Sequence, residues 1–461
     1  MTRKSLLFLA TFLIVSSSVS AQNWEFVGVF PPDSSLTSAT QGVAVDAAGK
    51  VWVDQTYETP VLDEDSTTLF VSAPLHVFNP DGTRPWDPIH VIEGDTLKAF
   101  VNRETGSARY ALAFISGVKS DHNGDIIVTL RRTGQNLGSK FVRFDHKTGE
   151  IKNSIVLGDD ANTPYSQPVS PGIDENGNIY IGQVVSRGRP IGILSPEFGF
   201  LGLVTDAAPG IARNLEVTAD GNSVYWPDAV GTAKPGLAKF TRADEFSPFT
   251  SQFNPADTTG LLHEGLRSES SSRDPRTGYI WFGNGSDHTG SLGSRSFSSL
   301  TWYAVDPASD EIVDSLSFNL SEDESLDNPL TRAMGFSPDG MEVYVGIYNT
   351  GIPALQKFKY VSPTNIQRDP VEIPDGFTLS QNYPNPFNPQ TNIEFEMRDA
   401  GLASLKVYDL LGREVATLVD EHLVAGKYTA TFNATDLPSG SYVYQLDVAG
   451  NRLSGKMTLV K

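Results

Sequence analysis

Between residues 42 and 346 one arrangement of apolar and polar positions returns six times. A short apolar strand leads into an Asp/Asn-Gly turn, and a strand rich in Ile, Val, Tyr and Trp leads out of it. The copies are GVAVDAAGKVWV (Gly42–Val53), GVKSDHNGDIIV (Gly117–Val128), GIDENGNIYIG (Gly172–Gly182), LEVTADGNSVYW (Leu215–Trp226), SSRDPRTGYIWFG (Ser271–Gly283) and MGFSPDGMEVYVG (Met334–Gly346). Their turn glycines are Gly49, Gly124, Gly177, Gly221, Gly278 and Gly340, where a tight hairpin needs positive φ. A second hairpin follows most copies: VFNPDG (Val77–Gly82), VRFDHKTGEI (Val142–Ile151) and YAVDPASDEIV (Tyr303–Val313), with ILSPEFGFLGLV (Ile193–Val204) in the same slot. Four strands per copy, at a period of about 50 residues, mark the blades of a β-propeller. A two-sheet sandwich leaves six copies in fixed order unexplained. The expected fold is therefore all-β, with a six-bladed propeller over residues 22–361. Its last copy, Met334 to Tyr360, has room for three strands only. The lone strand WEFVGVF (Trp24–Phe30) is expected to pair with it as the outer strand, tying the two ends together and covering an edge.

The pattern changes at both ends. At the start, Arg3 and Lys4 precede a ten-residue apolar run, Leu6 to Val15, and a small-residue stretch, Ser16 to Ala21. That is the layout of a signal peptide cleaved after Ala21, and ten apolar residues fall short of the roughly 20 that span a bilayer. No later stretch reaches that length, so the mature chain is expected to have no transmembrane segment. At the other end, residues 362–376 read as a Pro-punctuated linker. Beyond it, period-2 alternation resumes in NIEFEM (Asn392–Met397), SLKVYDL (Ser404–Leu410), KYTATF (Lys427–Phe432), SYVYQLDV (Ser441–Val448) and KMTLVK (Lys456–Lys461). Short alternating strands joined by Gly-containing turns predict a small Ig-like β-sandwich over 377–461.

The blocks FTLSQNYPNPFNPQTNIEFEM (Phe377–Met397), YDLLGREV (Tyr408–Val415), LPSGSYVYQL (Leu437–Leu446) and the terminal KMTLVK closely resemble the type A C-terminal sorting domain of the type IX secretion system. The resemblance covers about the last 85 residues. It implies export through the inner membrane, recognition at an outer-membrane translocon, and a sortase that cleaves the domain. The cargo is then released or attached to the outer surface of a Gram-negative cell. The residues of this chain that match the family's signature are Asn382, Tyr383, Pro384, Asn385, Pro386, Phe387, Gly440, Tyr442 and Lys461.

Composition narrows what the propeller does. Fifty-five acidic residues against 35 Lys and Arg give a net charge of −20. Gripping nucleic acid requires Lys and Arg to displace counterions, so no nucleic-acid partner is expected. There is no cysteine, which removes disulfides, thiolate metal sites and cysteine nucleophiles.

The repeated Asp-Gly hairpin resembles six-bladed propellers of the NHL and gluconolactonase-like kind. In the latter, a divalent metal sits in the channel on Glu, Asn and Asp at the mouths of inner strands. Eight residues before each turn glycine, the equivalent positions here are Gln41, Ser116, Val169, Arg213, Ser270 and Arg332. None is a carboxylate, although Asp46 and Glu269 lie nearby, and a hard cation wants anionic oxygens. Asp121-x-Asn123-Gly124-Asp125 and Asp174-x-Asn176-Gly177-Asn178 resemble the start of a calcium loop, but Arg132 and Val185 stand where the closing Glu belongs. The seven histidines form no HxxH or HExxH pair, and no Gly-x-Ser-x-Gly elbow occurs. No cofactor is expected, and a divalent cation finds no support in these residues.

The arginines are the more informative signal. Arg103, Arg109, Arg131, Arg132, Arg187, Arg189, Arg213, Arg267, Arg295 and Arg332 all fall near predicted loops of the channel face. Gathered there, they make a positive field on an acidic protein, suited to carboxylate or sulfate. The bland reading is pairing with loop carboxylates such as Asp63, Glu64 and Asp65. The sequence thus favours an exported binding propeller for an extracellular ligand, with Arg213, Arg332, Gln41, Arg109 and Arg267 as candidate ligand-binding residues. A metal-dependent hydrolase or lyase in the same channel is the alternative, and a purely structural surface protein is a third reading. Arg213 and Arg332 share one offset from their turn glycines and are expected to point at the axis as an anion site.

Overall fold

The structure is a computed structural model. It describes residues 23–461 apart from 35, 37–39, 56–67, 94, 103–107, 133–137, 159–164, 166, 185–188, 209, 229–234, 255–258, 286–296, 321–329, 349–354, 362–365, 370–375, 399–400, 424–425, 436 and 449–450. The proposed signal peptide lies outside the described residues.

Among the described residues every regular element is a strand. Six sheets follow one another along the chain from Val43 to Tyr360. Their innermost strands are Val43–Val45, Ala108–Ser120, Gly172–Ile173, Glu216–Val217, Ser268–Arg273 and Leu330–Phe336. Each lies beside the next, and the last returns to the first, so the sheets close a ring. That closure is what defines a β-propeller. Trp52, Trp226, Trp281 and Trp302 are fully buried in it, filling the space between twisted sheets with large apolar area.

The Asp of the repeated turn explains why the pattern recurs. Asp46 Oδ1 accepts the amides of Ala48 and Lys50, both at 2.9 Å, and its Oδ2 accepts the Trp52 indole at 2.9 Å. Asp121 likewise accepts the amides of Asn123 and Asp125, at 2.8 and 3.0 Å, and Asp174 accepts that of Asn178 at 2.8 Å. These carboxylates serve their own turns, which accounts for the calcium-loop-like spelling.

Trp24–Phe30 pairs antiparallel with Leu355–Tyr360, from Trp24 opposite Tyr360 to Phe30 opposite Leu355. The sixth blade is thus completed by the beginning of the chain. Two blades depart from the four-strand expectation. The first keeps three strands, Val43–Val45, Val51–Asp54 and Leu75–Phe78. The second carries six, because Ala108–Ser120 is 13 residues long and its leading half also pairs with Lys98–Asn102, which in turn pairs with Thr68–Ser72.

The C-terminal region forms two four-stranded sheets. One orders Ile366–Asp369, Gly426–Asn433, Gln390–Met397 and Thr378–Leu379; the other orders Glu414–Leu423, Gly401–Asp409, Gly440–Val448 and Asn451–Leu459. Burial alternates along Gln390–Met397 and, from Ser441 on, along Gly440–Val448, and the buried set merges into one core containing Phe387, Phe395, Phe432, Tyr444 and Met457. The linker assignment needs correction: within 362–376, Ile366–Asp369 pairs with Gly426–Asn433 as an edge strand of the sandwich. Its IQRD sequence lacks the apolar alternation that signals a strand.

One half-buried carboxyl yields a pH prediction. Burial pushes Asp314, on Ile312–Ser317, up to about 6, against the stabilising Ser315 amide. The folded value exceeds the unfolded one, so the penalty is absent below about pH 4, grows between about pH 4 and 6 where the unfolded carboxyl is ionised and the folded one still protonated, and is constant above. Asp314→Asn is expected to stabilise the propeller by roughly 2–3 kcal/mol at pH 8 and to do nothing at pH 4. Urea unfolding at the two pH values checks this, and an equal gain at both refutes it.

Candidate functional site

Ring geometry brings equivalent positions of the six innermost strands to one end of the axis. There they enclose a chamber of about 30 Å³, lined among others by Gln41, Ser116, Ser170, Arg213, Ser270 and Arg332. The expected ring is therefore present, with one shift: in the third blade Ser170 faces the chamber and Val169 turns into the apolar core.

Bulges decide which side chains enter. Pairing of the innermost strand skips one residue at Ser116, at Glu269 and at Arg332. An extra unpaired residue re-aims its side chain. Glu269 thereby joins Arg332 in the chamber, and Arg332 Nε lies 2.5 Å from Glu269 Oε2. Arg332 Nη1 donates to Gln41 Oε1 at 2.9 Å, and its guanidinium lies 5.1 Å from the Tyr348 ring centre.

Two further guanidiniums share the space. Arg213 lines the chamber with its Nε buried and without a hydrogen-bond partner among the described residues. Arg131, on Ile126–Arg132, lies over Phe114 and donates from Nη2 to Gln167 Oε1 at 3.0 Å. Burial, then the charges of Arg213 and Arg332, lower Arg131 to about 10. Burial and Arg332 lower Arg213 too, with Glu269 opposing. Beside them Asn214 is 3% exposed, and neither its amide nitrogen nor its amide oxygen has a partner among the described residues. The floor is Lys119, which reaches across the axis to Glu216 Oε2 at 2.6 Å and to the Ser271 carbonyl at 2.7 Å. Beyond this bridge the channel widens to about 420 Å³ among the hairpin turns.

Of the candidate ligand residues, the structure brings together Arg213, Arg332 and Gln41. Arg267 is half-buried and not among the chamber's lining residues; its backbone amide bonds Asn284 Oδ1 at 2.9 Å. Arg109 and Arg132 lie in strands, but their side chains fall outside those described, as do Arg103, Arg187 and Arg295 altogether. Arg189 is exposed. Arg131 was visible only as one arginine among ten. Glu269 was visible as a neighbour of the ring, but nothing in the sequence marks the bulge that turns it inward.

A divalent cation does not fit this donor set. The one carboxylate among the chamber's described lining residues, Glu269, is already paired and faces guanidiniums, whereas Ca²⁺ or Mg²⁺ needs several anionic oxygens. Among the described residues, Asp125, Asp145 and His146 are the grouping with metal-ligand spacing. There the Lys152 ammonium lies 2.7 Å from Asp125 and 3.5 Å from Asp145.

The signature residues of the sandwich divide into a brace and an exposed face. Asn382 is buried; its backbone amide donates to Tyr444 Oη at 3.1 Å, and its side chain to Pro384 O and Thr391 Oγ1. Asn385 Oδ1 accepts the Thr458 amide at 2.9 Å, and Phe387 exchanges backbone bonds with Thr458 and Val460. Tyr442 Oη donates to Pro438 O at 2.7 Å, and Lys461 Nζ to Thr435 O at 2.5 Å. Gly440 begins Gly440–Val448 with open space around it. Tyr383 is 81% exposed, Pro384, Asn385 and Pro386 are exposed beside it, and Leu410 and Leu411 stand out at a hairpin tip.

Fold and motif together define an exported β-propeller with a C-terminal sorting domain. Residues 381–460 match the family described as the secretion system C-terminal sorting domain. That domain engages the type IX secretion machinery, and the protein is secreted or held at the outer cell surface of a Gram-negative bacterium. No curated protein matches the sequence. Among solved structures, the chain is similar to PorZ, described as an essential bacterial surface component of the type IX secretion system of Porphyromonas gingivalis. That match has 14% identity, a TM-score of 0.42, and covers 91% of this chain and 59% of PorZ. A protein of unknown function from Bacteroides thetaiotaomicron matches at 11% identity and TM-score 0.44, over 73% of this chain and 76% of the other. The Cps50 (Swd1) propeller domain of Myceliophteria thermophila matches at 9% and 0.39, over 70% and 97%.

Proposed function

We propose that this protein is a binding propeller delivered to the cell exterior, which captures an anionic extracellular ligand in its axial chamber. Residues 22–361 are the cargo; the C-terminal sandwich, which includes the edge strand Ile366–Asp369, is the address, read by the translocon and removed by the sortase. The observation that carries the reading is the meeting of Arg131, Arg213 and Arg332 around one carboxylate, on a chain of net charge −20. Crowded guanidiniums in a low-dielectric space are costly without anions, and planar guanidiniums bind oxyanions through paired hydrogen bonds.

Arg213→Ala removes a donor that has no partner among the described residues, so anion affinity is expected to fall at least tenfold with the melting temperature unchanged. Arg332→Ala behaves differently: it breaks the buried ion pair with Glu269, and removing one partner of such a pair costs about 3–5 kcal/mol. Calorimetric titration of the full-length protein with sulfate and acetate, in low and high salt, provides the check. Binding of neither anion, or equal binding by wild type and Arg213→Ala, would sink the reading.

A further inference from the structure

Charge balance in the chamber says more than that the ligand is anionic. Lys119 is answered by Glu216, and one of the three arginines by Glu269. Among the described residues that leaves two guanidinium charges at the chamber without a carboxylate. One of them, Arg213, keeps a buried Nε with no acceptor. Next to it, the buried Asn214 amide nitrogen adds a neutral donor, also unpartnered. Donors thus outnumber acceptors, and charges exceed what a single negative charge offsets.

Size sets the other limit. A water needs about 10–15 Å³ of such space, so a chamber of about 30 Å³ holds two or three waters, or the head of one oxyanion. A sugar ring or an acyl chain does not enter. The Lys119–Glu216 bridge stops a longer group from passing into the wider space below.

We infer that the chamber takes a small dianionic oxyanion head, a phosphate monoester group or a free divalent oxyanion, in preference to a carboxylate or a sulfate ester. The inference rests on the anion-binding reading above and adds to it the charge of the head. Arg213 and Arg131 supply the unanswered charge, Asn214 a directional donor, and the Arg332–Glu269 pair a fixed wall. A single charge leaves one guanidinium uncompensated, whereas a double charge satisfies both.

Methyl phosphate and methyl sulfate test this directly, because they share shape and differ by one charge at pH 8, well above a phosphate second pKa near 6. Calorimetry on the full-length protein should show methyl phosphate binding at least tenfold tighter than methyl sulfate. Inorganic phosphate run beside it tells a free ion from an esterified head: tighter binding of the ion assigns the former, tighter binding of the ester the latter. Arg213→Gln should reduce the methyl phosphate to methyl sulfate ratio to about one. Asn214→Leu should weaken both ligands while keeping their ratio, and an unchanged melting temperature sets this apart from loss of folding. Equal affinities in the wild-type protein overturn the dianion inference and leave anion binding standing. Absence of binding by every probe overturns both.

Discussion

Alanine at Phe387 is expected to unfold the C-terminal sandwich and to strip the protein from the cell exterior. Phe387 is 2% exposed and packs against Phe432, with ring centres 5.9 Å apart. Its backbone also exchanges bonds with Thr458 and Val460, which holds the last strand against the Asn-Tyr-Pro-Asn-Pro-Phe segment. Phe→Ala in a core costs about 3–5 kcal/mol. A domain of about 80 residues has roughly 4–12 kcal/mol in total, so the loss removes much of its stability. The sorting motif is then no longer presented in its folded form. Fractionation of the secreting cell should find the variant retained inside the envelope, and calorimetry should show the sandwich transition lost with the propeller transition in place. Tyr383→Ala separates folding from recognition, since that ring is 81% exposed. It should leave the melt unchanged while reducing export. Surface display of Phe387→Ala at the wild-type level would contradict the argument.

The two halves of the chain were legible in the sequence for different reasons. In the propeller, a side chain that bonds its own turn amides repeats with the blade, an Asp in four blades and Thr218 or Ser337 in the other two. Spacing alone therefore locates every innermost strand, and even the pairing of Trp24–Phe30 follows from the three-strand last unit. In the sandwich, Asn382, Asn385 and Phe387 look like a sorting signal, yet the structure uses them as a brace between the two sheets. Illegible features share one cause: they depend on contacts that local patterning does not encode. The long strand Ala108–Ser120 opens with ARYALAFI, whose mixed small and apolar residues show no clear period 2. Ile366–Asp369 is a strand only because Gly426–Asn433 offers it an edge. The bulge at Glu269 moves that side chain into the chamber by one residue of slip, which no count from the turn glycine anticipates, whereas Arg332, also on a bulge, falls where the count places it. Charge at the axis was readable as arginine content, but its balance was not, because the one carboxylate that answers it arrives through a bulge.

Removing the first strand, residues 23–30, is expected to convert a closed propeller into an aggregating one. Trp24 anchors this strand, with its ring centre 6.0 Å from Trp281, 5.9 Å from Phe336 and 5.4 Å from Tyr360. Phe30 repeats the arrangement at the other end, 4.8 Å from Tyr344 and 5.7 Å from Phe78. Truncating Trp24 alone removes a large buried side chain, at about 3–5 kcal/mol, and edge-to-face aromatic contacts of about 0.5–1.5 kcal/mol each are lost with it. At roughly 2 °C or less per kcal/mol for a domain this large, Trp24→Ala should lower the propeller's melting temperature by about 5–10 °C. The sandwich transition should stay where it is. Deletion goes further, because Leu355–Tyr360 then presents an unpaired edge, and exposed edges recruit other chains. Light scattering should show oligomers of the truncated protein that are absent from Trp24→Ala. A synthetic peptide of sequence NWEFVGVF should return it to monomer by refilling that edge. Oligomers that persist with excess peptide would mean that the strand closes nothing, and that the ring holds without it.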